Sequence, residues 1–407
     1  MGRGIKGEGL VIKFNDFHLV QTCPDSKARA GELITPHGLV PTPVFLPVGS
    51  QGAVKTLTPE EVKDIGMAMV LANTYHLYLR PGIGVIERMG GLHRFMGWDR
   101  AILTDSGGYQ IFSLASLRRV SDEGVIFRSH IDGSQHHLTP ELIIQFQETL
   151  GADIIMALDE CPAYDASFEQ VQTAVDRTHR WAERCQKSQK RDDQALYAIV
   201  QGGVFPQLRH QSAEYLTLLG FSGYAIGGLS IGEPREQTLA MIEETVALLP
   251  ENKPRYLMGV GSPEGIVDGI ARGIDMFDSA LPTRVARNGA FFTWQGRHNI
   301  RNSVYSQMEQ PIVAGCDCYT CRTFSAAYLH HLFSCDELLA YRLATIHNLN
   351  FISELMRKVR SAILGGTFNS FKDNFLAGYR PTDEQIRLSQ KRKWLKSHSP
   401  SGITNSD

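Results

Sequence analysis

Long apolar runs are missing from this chain of 407 residues. No segment reaches the roughly 18 consecutive apolar residues that a membrane-spanning helix requires, so no such span is expected. The opening MGRGIKGEGL lacks the apolar stretch of a secretory signal, and Lys6 stands where a myristoylation pattern needs Ser or Thr. Surplus charge is missing too. Lys and Arg number 41 against 43 Asp and Glu, a net charge of −2, so any nucleic-acid contact must come from a local patch rather than a global field. Cysteine is sparse: seven residues do not make a disulfide scaffold at this length. With no export signal, a reducing cytoplasm and metal-bound clustered cysteines are the expectation. The glycine-rich stretch GVGSPEG (259–265) lacks the lysine of a P-loop, which excludes a nucleoside-triphosphate motif there. No internal repeat is visible beyond a strand–helix rhythm.

What is present is an ordinary globular composition, 43% hydrophobic and 21% charged. Eight short apolar runs recur: PVFLPV (43–48), AMVLAN (68–73), AILTD (101–105), DIIMALD (153–159), LYAIVQ (196–201), YAIGG (224–228), YLMGV (256–260) and DMFDS (275–279). Runs of this length bounded by turn signals read as buried parallel strands. Helical segments lie between them, several opening on Thr-Pro or Pro, as at Thr58-Pro59, Thr139-Pro140, Pro206, Pro234 and Pro263. Eight strands alternating with helices predict a closed (β/α)8 barrel of the TIM type. Residues 1–42 are expected to form an N-terminal antiparallel strand segment capping it, and 43–295 the barrel itself. Asp132-Gly133 marks a hairpin inserted between strands three and four. Residues 296–375 are expected to form a metal-binding subdomain with one long helix from about Ser325 to Leu364. The tail, 376–407, is basic at KRKWLK and expected to be partly disordered.

Chemistry in this fold gathers at the C-terminal ends of the strands. Those positions read Val48, Asn73, Asp105, Asp159, Gln201, Gly228, Met258 and Asp278. DSGGYQ surrounds Asp105 with Ser106, Gly107 and Gly108, where backbone can approach a ligand closely, and Tyr109, which can lie against a planar ring. Asp159 and Cys161 stand two apart in LDECP. Asp159, Gln201 and the backbone at Gly228 and Leu229 suit a planar heterocycle with several donors and acceptors, such as a guanine edge. Cys161 has no base beside it in sequence and reads as packing or edge contact. After the eighth strand, Asp278 is followed by a basic turn bearing Arg284 and Arg287, an arrangement that suits an anionic substrate, although a surface salt-bridge turn would look the same. Beside it, Gly259 to Gly265 reads as a contact to a polynucleotide backbone, with a plain glycine-rich turn as the alternative.

Cys316, Cys318 and Cys321 form a C-x-C-x2-C cluster that can fill three corners of a tetrahedral zinc site. His330, His331, Cys335 and His347 are all candidates for the fourth ligand, and periodicity does not choose among them. The role is structural, since a catalytic zinc needs an open position and the carboxylates lie elsewhere in the chain.

DSGGYQ, MALDECP, VQGG, GGLSIGEP, MGVGSPE, FDSALPTRVARNG and CDCYTC followed by His347, in register from about residue 10 to 375, resemble the bacterial tRNA-guanine transglycosylases. The resemblance implies a barrel with a zinc-binding subdomain, no organic cofactor and a homodimer. It implies exchange of guanine at the wobble position of GUN-anticodon tRNAs for 7-aminomethyl-7-deazaguanine, on the way to queuosine. Asp278 would be the nucleophile at ribose C1′, and Asp105 the general base on the incoming deazaguanine. Asp105, Ser106, Gly107, Gly108, Asp159, Cys161, Gln201, Gly228 and Leu229 would bind the base, with Tyr109 and Met258 sandwiching it. Gly259, Val260, Gly261, Ser262, Pro263, Glu264 and Gly265 would contact RNA, as would Thr283, Arg284, Val285, Ala286 and Arg287. The implied ligands of one Zn2+ are Cys316, Cys318, Cys321 and His347.

Three other readings compete. A non-catalytic RNA-binding homologue conflicts with the joint presence of Asp105, Asp159 and Asp278. A queuine-using transglycosylase conflicts with Cys161 together with Ile231, and an archaeosine-precursor one with the lack of an appended C-terminal RNA-binding domain. A zinc-stabilised sugar hydrolase would share the carboxylates but not the arginine turn or the base platform. Ser230 and Ile231 stand where alanine and valine are commoner in the bacterial family.

Overall fold

The computed structural model describes residues 6–7, 10–11, 16–114 and 118–389. Eight parallel strands make one sheet: β1 (Val44–Pro47), β2 (Met69–Asn73), β3 (Ala101–Asp105), β4 (Ile154–Met156), β5 (Ala195–Val200), β6 (Gly223–Ile226), β7 (Arg255–Leu257) and β8 (Met276–Ser279). Each pairs with its sequence neighbours, and β8 returns to pair with β1 from Met276↔Val44 to Ser279↔Pro47. The sheet closes through a parallel bridge between Val48 and Leu71, where the Gly49 amide donates to the Leu71 carbonyl at 2.6 Å. The expected (β/α)8 barrel is therefore the fold. Val48 serves this closure and not a ligand.

The barrel interior is packed rather than hollow. Leu46, Met69, Leu71, Leu103, Ile154, Met156, Ile199 and Tyr256 form its inner cluster. Helices cover the outside. The helix Pro59–Asp64 starts with a reciprocal cap: Thr58 Oγ1 accepts from the Glu61 amide, and Glu61 returns a carboxylate oxygen to the Thr58 amide at 2.9 Å. Ser167 and Gln170 repeat this at the head of the 21-residue helix Phe168–Ser188. The helices Pro140–Leu150 and Pro206–Leu219 both begin on proline and stop at glycines in the left-handed conformation, Gly151 and Gly220.

Several local expectations need correction. The inserted hairpin has a third strand, Arg118–Ser121, pairing with Gly124–Arg128, which in turn pairs with Gln135–Leu138. The basic turn after β8 is a helix, Leu281–Arg287, because Pro282 sits in its first turn and no residue up to Arg287 breaks it. The long helix is broken. Ala326–Ser334 ends at Cys335, Asp336 takes a left-handed φ of 52°, and Leu338–Leu364 starts afresh. Strands one, four, five, six and seven end before the residues read as their last, so Val48, Asp159, Gln201, Gly228 and Met258 lie just beyond them.

The N-terminal strands Phe17–Thr22, Arg29–Thr35 and Gly38–Thr42 form an antiparallel sheet at the N-terminal end of the barrel. The helix Leu338–Leu364 packs along both this sheet and the helix Leu281–Arg287. The KRKWLK reading lies outside the described residues. Among the described residues no helix is long and apolar enough to cross a membrane.

Candidate active site and metal centre

Strand ends and the loops after them converge on one cavity of about 170 Å³ at the C-terminal mouth of the barrel. Its walls include Asp105, Ser106, Gly107, Gly108, Tyr109, Asp159, Cys161, Gln201, Gly228, Leu229, Met258 and Asp278. Every residue expected to bind the base or perform chemistry is thus brought to one place. Leu71, Gln110, Gly227, Ser230, Ile231, Tyr256 and Gly259 complete the lining.

The three carboxylates are held differently: Asp105 and Asp159 are buried, and Asp278 is half-buried at the cavity wall. Asp278 accepts twice on Oδ1, from the Tyr256 hydroxyl at 2.6 Å and the Gly259 amide at 2.8 Å. Its Oδ2 receives no donor from the described residues. Burial raises its pKa, against the pull of those two donors. Asp105 accepts from Asn73 Nδ2 at 2.5 Å and from the Thr74 amide at 3.2 Å. Burial first, and the charge of Asp278 second, push it up to about 8. Asp159 accepts from Gln201 Nε2 at 2.7 Å and Ser106 Oγ at 3.3 Å, yet burial still raises it to about 6. Two neighbouring carboxyls forced above their ordinary range are a pattern suited to proton transfer near neutral pH.

The cavity wall at Gln201 and Gly228 is closely packed. Gly228 has φ +67°, and a Cβ there would lie 2.4 Å from Gln201 Oε1, so only glycine fits beside that amide. Gln201 Oε1 is buried and has no hydrogen-bond partner in the chain, which leaves an acceptor for a ligand donor. Ser230 also adopts positive φ, at 59°. The buried Glu233 explains why: its carboxylate accepts from the amides of Ser230, Ile231 (3.1 Å) and Gly232 (3.1 Å) and from Thr238 Oγ1 at 2.6 Å. Cys161 is buried and its thiol is pushed up to about 12, chiefly by burial, which disfavours a thiolate nucleophile.

Sequence reasoning missed Tyr256 and Glu233. Tyr256 sits inside an apolar run with nothing to mark its hydroxyl as a partner of Asp278. Glu233 carried one signal, an acid closing the glycine-rich GGLSIGEP. Asn73 was read only as a strand end, and its contact with Asp105 crosses from β2 to β3.

The segments expected to meet RNA are only partly open. Val260, Gly261 and Pro263 are buried, while Gly259 is exposed and Ser262, Glu264 and Gly265 are half-buried. Ser262 Oγ caps the helix Pro263–Ala271. In the helix Leu281–Arg287, Thr283, Val285 and Ala286 are buried; Arg284 is exposed and Arg287 half-buried. Arg287 also donates to the Thr283 carbonyl at 2.8 Å.

A separate centre lies in the C-terminal part. The sulfurs of Cys316, Cys318 and Cys321 are 3.8, 3.5 and 3.3 Å from His347 Nδ1. His347 Nε2 lies 2.8 Å from the Phe292 carbonyl and must donate to it. That fixes the tautomer and turns the Nδ1 lone pair toward the thiols, the arrangement a metal ligand needs. The four atoms form a cluster able to hold a metal ion. Cys335 is instead exposed beside His331, outside the cluster.

Fold and sites together define a (β/α)8-barrel enzyme with a carboxylate-lined cavity and a distinct Cys3His metal centre. The family model described as queuine tRNA-ribosyltransferase matches residues 23–381. The chain belongs to this family and is a tRNA-modifying pentosyltransferase. A queuine tRNA-ribosyltransferase of Dehalococcoides mccartyi is 59% identical over 383 residues, covering 94% of this chain and 98% of the relative. Relatives of the same description from Pelotomaculum thermopropionicum and Moorella thermoacetica are 57% and 55% identical, covering 87% and 86% of this chain and 95% and 94% of theirs.

Proposed function

We propose that this enzyme exchanges guanine at the wobble position of GUN-anticodon tRNAs for 7-aminomethyl-7-deazaguanine, through a covalent glycosyl-enzyme. The observation that carries this reading is the state of Asp278. Both donors fall on Oδ1, which leaves Oδ2 to attack the ribose. Oδ2 forms a bond to C1′ as the bond from C1′ to guanine N9 breaks with its electron pair. A retaining displacement at an anomeric carbon uses a carboxylate in this way, with a second carboxyl moving the proton. Asp105 suits that second role. Pushed up to about 8, it can carry a proton at neutral pH, hand it to the departing guanine, and take one from the incoming deazaguanine as that base displaces Asp278.

Asp159, Gln201, Gly228 and Leu229 would hold the base edge, Ser106 to Gly108 would approach it through backbone, and Tyr109 and Met258 would cover its faces. Because the target base must leave its stack to reach a barrel mouth, the exposed Arg284 and half-buried Arg287 would hold the flanking phosphates. Cys161 and Ile231 both line the cavity, and their side chains favour the aminomethyl precursor over bulkier queuine. The metal is Zn2+, one per chain and structural, since three thiolates and one imidazole complete a tetrahedral shell. The enzyme would work in the cytoplasm as a homodimer, with divisions near residues 43, 296 and 376.

The test is incorporation of labelled guanine into a GUN-anticodon tRNA. The parent protein should incorporate it, and no incorporation rejects the activity. A competition of queuine against the aminomethyl precursor tests the pocket at Cys161 and Ile231.

A further inference from the structure

At the end of the barrel opposite the catalytic cavity, a second cleft of about 540 Å³ opens between the strands Phe17–Thr22 and Arg29–Thr35 and the loop that leads into β7. Thr22, Ser26, Lys27, Arg29, Glu251 and Arg255 contribute its polar wall. The two arginines differ in how their charge is met. Arg29 is saturated. Its guanidinium donates to Asp275 Oδ1 at 2.9 Å and Oδ2 at 2.5 Å, and to the carbonyls of Glu251 (2.6 Å) and Lys253 (2.7 Å).

Arg255 is not met in this way. It is only 6% exposed, and no carboxylate pairs with it among the described residues. Its Nη2 donates to the Leu249 carbonyl at 2.9 Å, while its Nε is buried with no partner. Asp275, the nearest structural acid, is spent on Arg29 and on the Arg255 backbone amide, 2.7 Å from Oδ2. The chain makes room for this guanidinium: Gly273 has φ +89°, and a Cβ there would stand 3.0 Å from Arg255 Nη1. Burial, then repulsion by Arg29, lowers its pKa to about 10, against the attraction of Asp275 and Glu251, neither of which forms a salt bridge with it. At the rim, Lys27 is exposed and has no ion pair among the described residues. Ser26 Oγ accepts from the Ala28 amide at 3.3 Å, leaving its proton to donate outward. The exposed Glu251 is the one acidic side chain in the wall.

A buried guanidinium without a direct salt bridge is costly, and an unpartnered buried donor calls for an ion or water that completes it. We propose that this cleft binds a small oxyanion of the phosphate class, with Arg255 at its base and Lys27 at its rim. Tetrahedral oxyanions carry enough acceptors for a guanidinium, an ammonium and hydroxyls together. The same chemistry is offered by free phosphate and by the phosphodiesters of RNA. The position opposite the catalytic cavity favours the free ion.

Calorimetric titration of the full chain with inorganic phosphate, at ionic strength held constant with chloride, tests this. One saturable site per chain is expected. Lys27→Ala, at an exposed position, should weaken it by about tenfold. Glu251→Gln should tighten it by removing a like charge, whereas a variant lacking a native counter-ion of Arg255 would instead melt lower and gain no affinity. Arg284→Ala should leave it unchanged, which separates this site from the catalytic mouth. Absence of saturable heat, or affinity indifferent to both Lys27→Ala and Glu251→Gln, overturns the proposal. Lys27→Ala should also leave tRNA affinity intact. Loss of tRNA affinity in a protein that does not bind phosphate overturns the assignment to a free ion.

Discussion

Tyr256 and Asp278 are joined by a 2.6 Å hydrogen bond from the middle of barrel strand β7 to its neighbour β8. The phenol is fully buried and its pKa lies well above the ordinary value, first through burial and then through the charge of Asp278. It is therefore a permanent donor to Oδ1, and together with the Gly259 amide it fixes which carboxylate oxygen faces the cavity. Tyr256→Phe keeps the ring and removes the bond. This variant should fold normally and lose roughly 10- to 100-fold in kcat, with KM for tRNA little changed. Steady-state kinetics check it; an unchanged kcat would deny Tyr256 a positioning role.

Asp105 predicts a pH signature. Folded, it holds its proton up to about pH 8; unfolded, it releases it near the ordinary value of about 4. Between those values the native state binds the extra proton, so this group's contribution to stability declines as pH rises from about 4 to about 8. Asp105→Asn should therefore melt higher than the parent at pH 8, by roughly 2–5 °C, with the gap closing toward pH 4. Because Asp278 supplies part of the upward shift, the gap should narrow when both proteins carry Asp278→Asn. Calorimetric melting across pH reads both effects.

The metal centre gives a compositional test. Elemental analysis should find one zinc per chain. Cys318→Ser or Cys321→Ser should lose it and lower the melting temperature, because metal binding there is coupled to folding. Cys335→Ser, at an exposed position outside the cluster, should retain the full zinc content. Loss of zinc in that variant would reassign the fourth ligand.

Arg284 is exposed beside the cavity. Arg284→Ala should weaken tRNA binding about uniformly across GUN tRNAs and reduce the slope of log K against log salt by roughly one. Binding of the free deazaguanine, measured separately, should not change. An unchanged salt slope would remove Arg284 from the RNA interface.

Much of this was legible in the sequence because it is written locally. Apolar runs of strand length, Thr-Pro helix starts and the order of the strand ends are properties of short windows. They led to the barrel and brought Asp105, Asp159, Gln201 and Asp278 to one mouth. What could not be read depends on contacts distant in sequence. Tyr256 looks like any core aromatic until β8 places Asp278 beside it. Asn73 and Asp105 meet only because β2 and β3 pair in register. The break at Asp336 interrupts an apolar helical pattern without proline or glycine. The helix Leu281–Arg287 carries an early proline, which reads equally well as a turn. Its burial of Thr283, Val285 and Ala286 follows from packing against the helix Leu338–Leu364, which leaves the two arginines to face outward.

The proposed base exchange turns on a covalent step at Asp278. Its most direct measurement is trapping: incubate enzyme with a GUN-anticodon tRNA, quench with denaturant, and resolve protein from a protein–tRNA adduct. The parent protein should give an adduct that mass spectrometry of the digested protein assigns to Asp278, and Asp278→Asn should give neither adduct nor guanine exchange. Guanine exchange persisting in Asp278→Asn, or an adduct mapping to another residue, would contradict it.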